Sequence, residues 1–142
     1  MNTGKPNTPE ELLGENHRRS LTSALTIVEQ LLNELEGTLA SRLSSCCVEL
    51  VDDITEEEKN HNREVIKEAR RQIWILAGKY RTNRRKQSIR RIIDAKKIRI
   101  WEVLIDTRAK RQKSYGAFPK ELVAEYDGDI DGLLKITDKI VF

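Results

Sequence analysis

The sequence is poor in turn-forming residues and contains no long apolar run. It has three prolines and seven glycines among 142 residues, too few for a loop-rich all-β fold. The longest unbroken apolar run spans residues 73–77, far short of the ~18 residues that a membrane-spanning helix needs. The first residues, MNTGKPNTPEELL, lack the basic and apolar regions of a signal peptide. We therefore expect a soluble, cytoplasmic protein.

Cysteine and histidine are equally scarce. The only cysteines are Cys46 and Cys47, and an adjacent pair makes neither a framework of disulfides nor a complete zinc site. We expect both to be small apolar residues on a helix. Neither His17 nor His61 has the neighbours that nucleophilic catalysis or a di-metal site requires. The sequence therefore predicts a non-enzymatic protein without a cofactor.

Apolar residues recur with helical spacing in the first third of the chain. The main series has spacings of 4, 3, 4, 3 and 4 and consists of Leu21, Leu25, Val28, Leu32, Leu35 and Leu39. This heptad seam is widened on one flank by Ala24, Ile27 and Leu31. It predicts a first long helix from about Glu10 to Val51, with a bend on the way.

Two further helices follow from capping signals and apolar spacing. Thr55 and Glu58 match a capping box, so we expect the second helix to begin there and to end near Tyr80. Ser88 is the candidate cap of the third helix. Residues 98–105 are apolar on nearly all sides and would also suit a strand. We predict a helix because strong helix formers flank them, and we expect burial on several sides, as in an oligomer interface.

The last part of the chain contains two expected breaks, at residues 114–116 and at residues 127–129. Between them, Pro119 can open a short helix, and the apolar residues after the second break are expected to dock onto the other helices. The prediction is an all-α fold, an antiparallel bundle of three long helices plus a short C-terminal helical segment. We expect residues 1–8 to form a flexible tail and residues 9–142 to form a single domain.

Charge is distributed very unevenly along the chain. The net charge is only +3, but residues 63–113 hold 18 basic and 5 acidic residues, whereas the remainder holds 8 basic and 18 acidic residues. In one interpretation, these charges compensate each other inside the fold or across a dimer. In the other, basic residues form a stripe that binds nucleic acid or another polyanion without sequence specificity. The candidate residues are Arg81, Arg84, Arg85, Lys86, Arg90, Arg91, Lys96, Lys97 and Arg99.

Four aromatic residues lie among the basic ones, namely Trp74, Tyr80, Trp101 and Tyr115. Aromatic side chains can stack on the bases of a nucleic acid. Tyr80, however, lies on the apolar side of its helix and Trp101 lies inside an apolar run, so we expect both in the core.

Residues 127–138, DGDIDGLLKITD, resemble the calcium loop of EF-hand and dockerin proteins. The first three aspartates match ligand positions and Gly132 matches the sharp turn, with Asp138 as the last ligand. Lys135 departs from the pattern, and no second loop is present to pair with this one. The alternative interpretation is an acidic loop and cap before the last helix.

Two functions follow from the sequence, and a third depends on this resemblance. The first is a helical interaction module that oligomerises and holds an acidic partner, above all nucleic acid, on its basic region. The second is a structural or adaptor bundle that acts through protein–protein, chiefly homo-oligomer, contacts with its charges paired internally. The third is calcium binding by residues 127–138.

Overall fold

The computed structural model describes residues 8–41, 45–82 and 84–141, and within these ranges it contains helices but no strand. The prediction of an all-α fold is therefore confirmed. The α-helices are α1 (Pro9–Leu12), α2 (Glu15–Leu39), α3 (Glu56–Lys79), α4 (Ile89–Asp106) and α5 (Val123–Thr137). The chain divides into two compact units, Met1–Arg84 and Arg85–Phe142. The single domain and the three-helix antiparallel arrangement stay predictions.

The first unit is built on the packing of α2 against α3. Its core consists of Leu32, Ile66 and Ile73, with Leu25, Leu39 and Ala69 packed around it. Near one end, Arg18 Nε donates to the carbonyl oxygen of Tyr80 at 3.1 Å. Further along, Arg70 Nη1 lies 2.7 Å from Glu36 Oε1. Residue numbers thus rise along one helix as they fall along the other, so the two helices are antiparallel.

The heptad seam of α2 does not act as one packing face. Its residues Leu25, Leu32 and Leu39, which are seven apart, lie in the core with α3. Val28 and Leu35, which alternate with them, are exposed. The seam prediction is therefore correct for the helix but only partly correct for what the helix buries.

The predicted helix from Glu10 to Val51 is interrupted near its start, since α1 ends at Leu12 and α2 begins at Glu15. It is also too long at its C-terminal end. α2 stops at Leu39, because Ser41 has a left-handed backbone (φ 54°) that cannot continue a right-handed helix. Residues 45–55 are not helical, and residues 42–44 lie outside the described ranges. Cys46 and Cys47 are free and exposed in this segment, so the expectation that they lie on a helix is wrong.

The capping box at the start of α3 is confirmed. The Thr55 hydroxyl accepts from the Glu58 N–H at 3.1 Å, and Glu58 Oε2 accepts from the Thr55 N–H at 2.9 Å. One turn later, the Lys59 ammonium, whose side chain is buried, donates to Asp52 at 2.6 Å and to Glu56 at 3.2 Å. These bonds fix the chain as it enters the helix.

In the second unit, α4 packs against α5. Tyr126 Oη donates to the Thr107 carbonyl oxygen at 2.6 Å, and Lys97 Nζ donates to the Asp138 carbonyl oxygen at 2.9 Å. These helices are therefore also antiparallel. Residues 98–105 are helical, as predicted. The expectation of their burial is wrong within this chain, because Trp101 is 50% exposed.

The predicted break at residues 127–129 is wrong, because α5 runs through it without interruption. Asp127 Oδ1 accepts from the Ala109 N–H at 2.9 Å, and Asp131 forms an ion pair with Arg108. Asp and Gly favour turns, and each glycine costs a helix about 1 kcal/mol relative to alanine. These tertiary contacts, together with burial of Leu134, outweigh that cost.

This helix also removes the basis of the calcium hypothesis. A calcium loop wraps its ligands around one ion, but residues 127–137 have helical backbone, which turns successive aspartates to different sides. The loop conformation is therefore wrong, and so is the alternative of an acidic loop that caps a later helix. In the parts of the chain that the structure describes, no helix has the length and apolarity to cross a membrane.

Candidate functional site

The nine basic candidates are distributed over both units. Arg81 and Arg84 belong to the first unit, and the other seven belong to the second. Every one of them is exposed except Lys97, which is half-buried. Asn83, in the same predicted turn, lies outside the described residues. We therefore treat the seven residues of the second unit as one segment, the cationic segment, which spans residues 85–99 and contains one acidic residue, Asp94.

Arg81 occupies a position where the backbone favours glycine. It follows the last turn of α3 with a φ of 48°, and its N–H donates to the Gly78 carbonyl oxygen. The Thr82 N–H donates to the Ala77 carbonyl oxygen at 3.0 Å, which completes a Schellman-type end. A side chain at a left-handed position carries a backbone penalty, so arginine here is not explained by backbone stability.

The start of α4 collects positive charge. Ser88 caps the helix, its hydroxyl accepting from the Arg91 N–H at 3.4 Å. Arg90 and Arg91 lie in the first turn, and this turn contains no acidic residue. Because the helix dipole is positive at this end, the backbone and the two arginine side chains both make the electrostatic potential at the start of α4 more positive.

The basic residues do not form one continuous stripe along α4. Arg90 and Lys97 are seven residues apart on α4, about two turns, and therefore share a face. Lys97, however, donates to the carbonyl oxygen of Asp138, the residue that caps the C-terminal end of α5, and this end of a helix is a favourable place for a cation. Arg84 does not share the face of Arg91, because α4 begins only at Ile89.

The side chains of the cationic segment differ in the partners that they have. Arg99 lies 3.6 Å from Glu102, one turn away, and both side chains are exposed. Arg81, Arg85 and Arg90 take part in interactions within the chain. Of the four other side chains of the segment, that of Lys97 donates to a backbone carbonyl oxygen. Those of Lys86, Arg91 and Lys96 make no ion pair with another residue in the described ranges.

Charge compensation between the middle and the ends of the chain operates at two other arginines. Arg70 binds both carboxylate oxygens of Glu36, at 2.7 and 2.9 Å, and also Asn33. The hydrogen bond from Arg70 lowers the pKa of Glu36 below its ordinary value of 4.5. Arg108 pairs with Asp131, and this hydrogen bond raises the pKa of Arg108. Both arginines lie outside the predicted stripe.

The aromatic residues are more exposed than the sequence suggests. Of the four aromatic residues among the basic ones, Trp74, Trp101 and Tyr115 are exposed and Tyr80 is half-buried. The expectation of a core position is therefore wrong for Trp101. Trp101 follows Arg90 by eleven residues, or three helical turns, and so lies on the same side of α4. An exposed indole on a basic helix is suited to stacking on a nucleic-acid base.

Among the described residues, no group of three or more His, Cys, Asp or Glu side chains could hold a metal ion. Comparison with known proteins gives no match to a protein-family model, to a curated protein or to a solved structure. Function must therefore be inferred from this chain alone.

Proposed function

We propose that the cationic segment holds a nucleic-acid strand through its phosphates. The observation that carries the proposal is the exposure of Lys86, Arg91 and Lys96 without carboxylate partners in the described part of the chain. Lysine and arginine side chains of this kind bind phosphates by releasing condensed counterions, and such binding reads no base sequence.

The local energetics of α4 support a ligand at this place. Cations in the first turn of a helix interact unfavourably with its dipole, by about 0.3–1 kcal/mol each. Arg90 and Arg91 carry this penalty in the free protein. Features that disagree with local stability are expected at functional sites, and a bound phosphate would turn the repulsion into attraction.

Trp101 favours a single strand over other polyanions. Its ring is half exposed on the side of α4 that also carries Arg90. Stacking of a base on an aromatic ring contributes about 1–3 kcal/mol and needs an unpaired base. Heparin and polyphosphate have no base and would gain only the electrostatic part.

Fluorescence polarisation with a labelled single-stranded oligonucleotide tests the proposal. We expect micromolar, salt-sensitive binding that Lys86→Glu, Arg91→Glu and Lys96→Glu together abolish. The matched control reverses three exposed lysines of the same unit, Lys110, Lys113 and Lys120, and therefore has the same net charge. Equal loss in both variants would mean that only net charge matters, and unchanged binding in the first would overturn the proposal.

The second candidate is a structural or adaptor protein that associates with copies of itself. The observation in its favour is the small apolar core, since the described residues bury five apolar side chains whereas 23 large apolar ones are exposed. Exposed apolar patches of this kind mark protein–protein surfaces. This function predicts a defined dimer in light scattering and no binding to oligonucleotides even at low salt. Both functions fit the cytoplasmic location predicted from the sequence.

A further inference from the structure

We propose that Ser88 is a phosphorylation site for a protein kinase with an acidic substrate groove, and that the phosphate on Ser88 releases nucleic acid from the cationic segment. The release rests on the proposed function and deepens it, because it assigns the regulation of the same surface. The modification of Ser88 itself needs no nucleic acid, so the site and its consequence can be tested one by one.

The Ser88 hydroxyl is open to an incoming phosphoryl group. Ser88 is exposed, and residues 85–88 belong to no helix, strand or turn. Its backbone is extended (φ −76°, ψ 124°), and its Oγ accepts a long hydrogen bond from the Arg91 N–H at 3.4 Å. Phosphoryl transfer requires the hydroxyl in line with the γ-phosphate of ATP. Because helix ends fray easily, the segment can enter a kinase cleft with little unfolding.

The residues around Ser88 suit an acidic groove. Arg85 and Lys86 stand three and two positions before it, Ile89 stands directly after it, and all three are exposed. No acidic residue lies within five positions of Ser88 on either side. Kinases distinguish substrates by the charge pattern beside the acceptor, and Arg and Lys form charge-assisted hydrogen bonds with carboxylates. The pattern therefore selects a kinase whose groove carries carboxylates.

Ser114 supplies a comparison within the same unit. It follows Arg111 by three positions and is also exposed. It lies, however, inside the 3₁₀ turn Lys113–Tyr115, where the Gly116 N–H donates to the Lys113 carbonyl oxygen at 3.2 Å. This compact turn has to open before the hydroxyl can align with ATP. Ser114 is therefore a matched control with similar charge but without an extended backbone.

The transfer replaces a neutral hydroxyl with an anion. Ser88 Oγ attacks the γ-phosphorus of ATP, and the Oγ–P bond forms as the bond from that phosphorus to the β,γ-bridging oxygen breaks. ADP leaves, and the hydroxyl proton passes to the catalytic carboxylate of the kinase. The phosphoserine carries a charge of about −1.5 to −2 at pH 7 and three acceptor oxygens.

A phosphate on Ser88 competes with nucleic acid for the same cations. Lys86 and Arg91, two of the three residues proposed to contact the strand, stand two positions before Ser88 and three positions after it. The first turn of α4 contains no acidic residue, so the Arg91 N–H and side chain are available to the phosphate oxygens. Phosphorylation should therefore neutralise about two of the charges that hold the strand.

Treatment of the full chain with a kinase, followed by mass spectrometry, tests the site. The probe is the catalytic subunit of cAMP-dependent protein kinase with ATP and Mg²⁺. We expect phosphate on Ser88 of the wild type, its loss in Ser88→Ala, and unchanged incorporation in Ser114→Ala. Circular dichroism verifies that both variants keep their helices. A wild type that takes up no phosphate, or takes it up on other residues alone, overturns the site.

Oligonucleotide binding by the phosphorylated chain tests the regulation. We expect at least about tenfold weaker affinity at ~50 mM salt, and a slope of log affinity against log salt that is less steep by about 1.4, the value of two lost contacts. Ser88→Asp should weaken binding in part, whereas Ser114→Asp, which has the same net charge, should bind like the wild type. Unchanged affinity after phosphorylation, or equal weakening by the two aspartate variants, overturns the regulation.

The two measurements separate this regulation from the proposed function. If the unmodified chain binds no oligonucleotide, the proposed function and the regulation both fall, and phosphate incorporation still decides the modification site. If the unmodified chain binds but Ser88 takes up no phosphate, the proposed function stands, whereas the site and its regulation are overturned.

Discussion

The starts of α3 and α4 have the same type of cap but opposite charge. Thr55 precedes α3, and Glu56, Glu57 and Glu58 fill its first turn. Ser88 precedes α4, whose first turn contains Arg90 and Arg91 and no acidic residue. At α3 the side chains complement the helix dipole, and at α4 they oppose it.

The difference supports the proposal that a ligand binds at the start of α4 and not at the start of α3. At α3, the Thr55 cap, the capping box that it forms with Glu58 and the carboxylates of the first turn all favour a helix that begins at this point. At α4, the cap is present but the charges disagree with it, although an acidic residue at position 91 would complete a capping box with Ser88. A sequence selected for stability alone would avoid this disagreement, which is why the proposed function places the ligand at α4.

The largest expected effect is the salt dependence of oligonucleotide binding. It distinguishes the two helix starts because the proposed phosphate contacts lie at α4 and not at α3. Each phosphate contact contributes about −0.7 to −0.9 to the slope of log affinity against log salt. Contacts by Lys86, Arg91 and Lys96 give a slope of about −2 to −3, so raising salt from ~50 to ~200 mM lowers the affinity roughly 20- to 40-fold.

Charge removal then shows which helix start is responsible. Each of Lys86→Gln, Arg91→Gln and Lys96→Gln should make the slope less steep by about one contact, whereas Glu56→Gln at α3 should leave it unchanged. The measurement is a polarisation titration at several salt concentrations. A slope that stays the same in all three variants of the cationic segment would contradict the proposal that these residues bind phosphates.

The next effect is on stability, where the two caps should differ. Thr55→Ala removes a complete box with bonds of 2.9 and 3.1 Å and should lower the free energy of unfolding by about 1 kcal/mol. Ser88→Ala removes one bond of 3.4 Å and should lower it by about half as much. Urea denaturation gives both values. Equal losses would show that the caps contribute alike despite their surroundings.

The sequence predicted elements where local signals agree with tertiary structure. The capping box at Thr55, the cap at Ser88 and the helical state of residues 98–105 are all confirmed. Predictions failed where a distant contact decides. The bonds of Asp127 and Asp131 to residues 109 and 108 keep α5 continuous, and no local spacing reveals such partners.

The candidate site was predictable in composition but not in arrangement. A count of charges locates the cationic segment, yet only packing shows that Lys97 is used to hold the end of α5. Exposure of Trp101 was missed for a similar reason, since apolar residues on all sides of a helix resemble a core helix. A helix that packs against other elements on one side only can have the same sequence pattern as a core helix.

A smaller effect comes from correcting the disagreement at α4. Arg91→Glu would give Ser88 the acidic partner that Thr55 has in Glu58, and should raise the free energy of unfolding by about 0.5 kcal/mol. The same substitution should weaken oligonucleotide binding. Arg91→Ala is the control, because it removes the positive charge without supplying a side-chain acceptor for the Ser88 N–H. A variant that is both less stable and weaker in binding would point to a structural role for Arg91.

The smallest expected effect is greater acid sensitivity at the start of α3 than at the start of α4. The hydrogen bond from Lys59 lowers the pKa of Asp52 below its ordinary value of 3.8. Because the folded pKa lies below the unfolded one, the stabilisation is complete above pH 3.8 and is lost as the pH falls through the folded pKa. Exposure of Asp52 keeps the effect small.

In amide exchange, acidification below pH 3.8 should therefore loosen the first turn of α3 before that of α4, and Asp52→Asn should remove part of this difference. Equal loosening of both helix starts would show that acid acts on the whole fold.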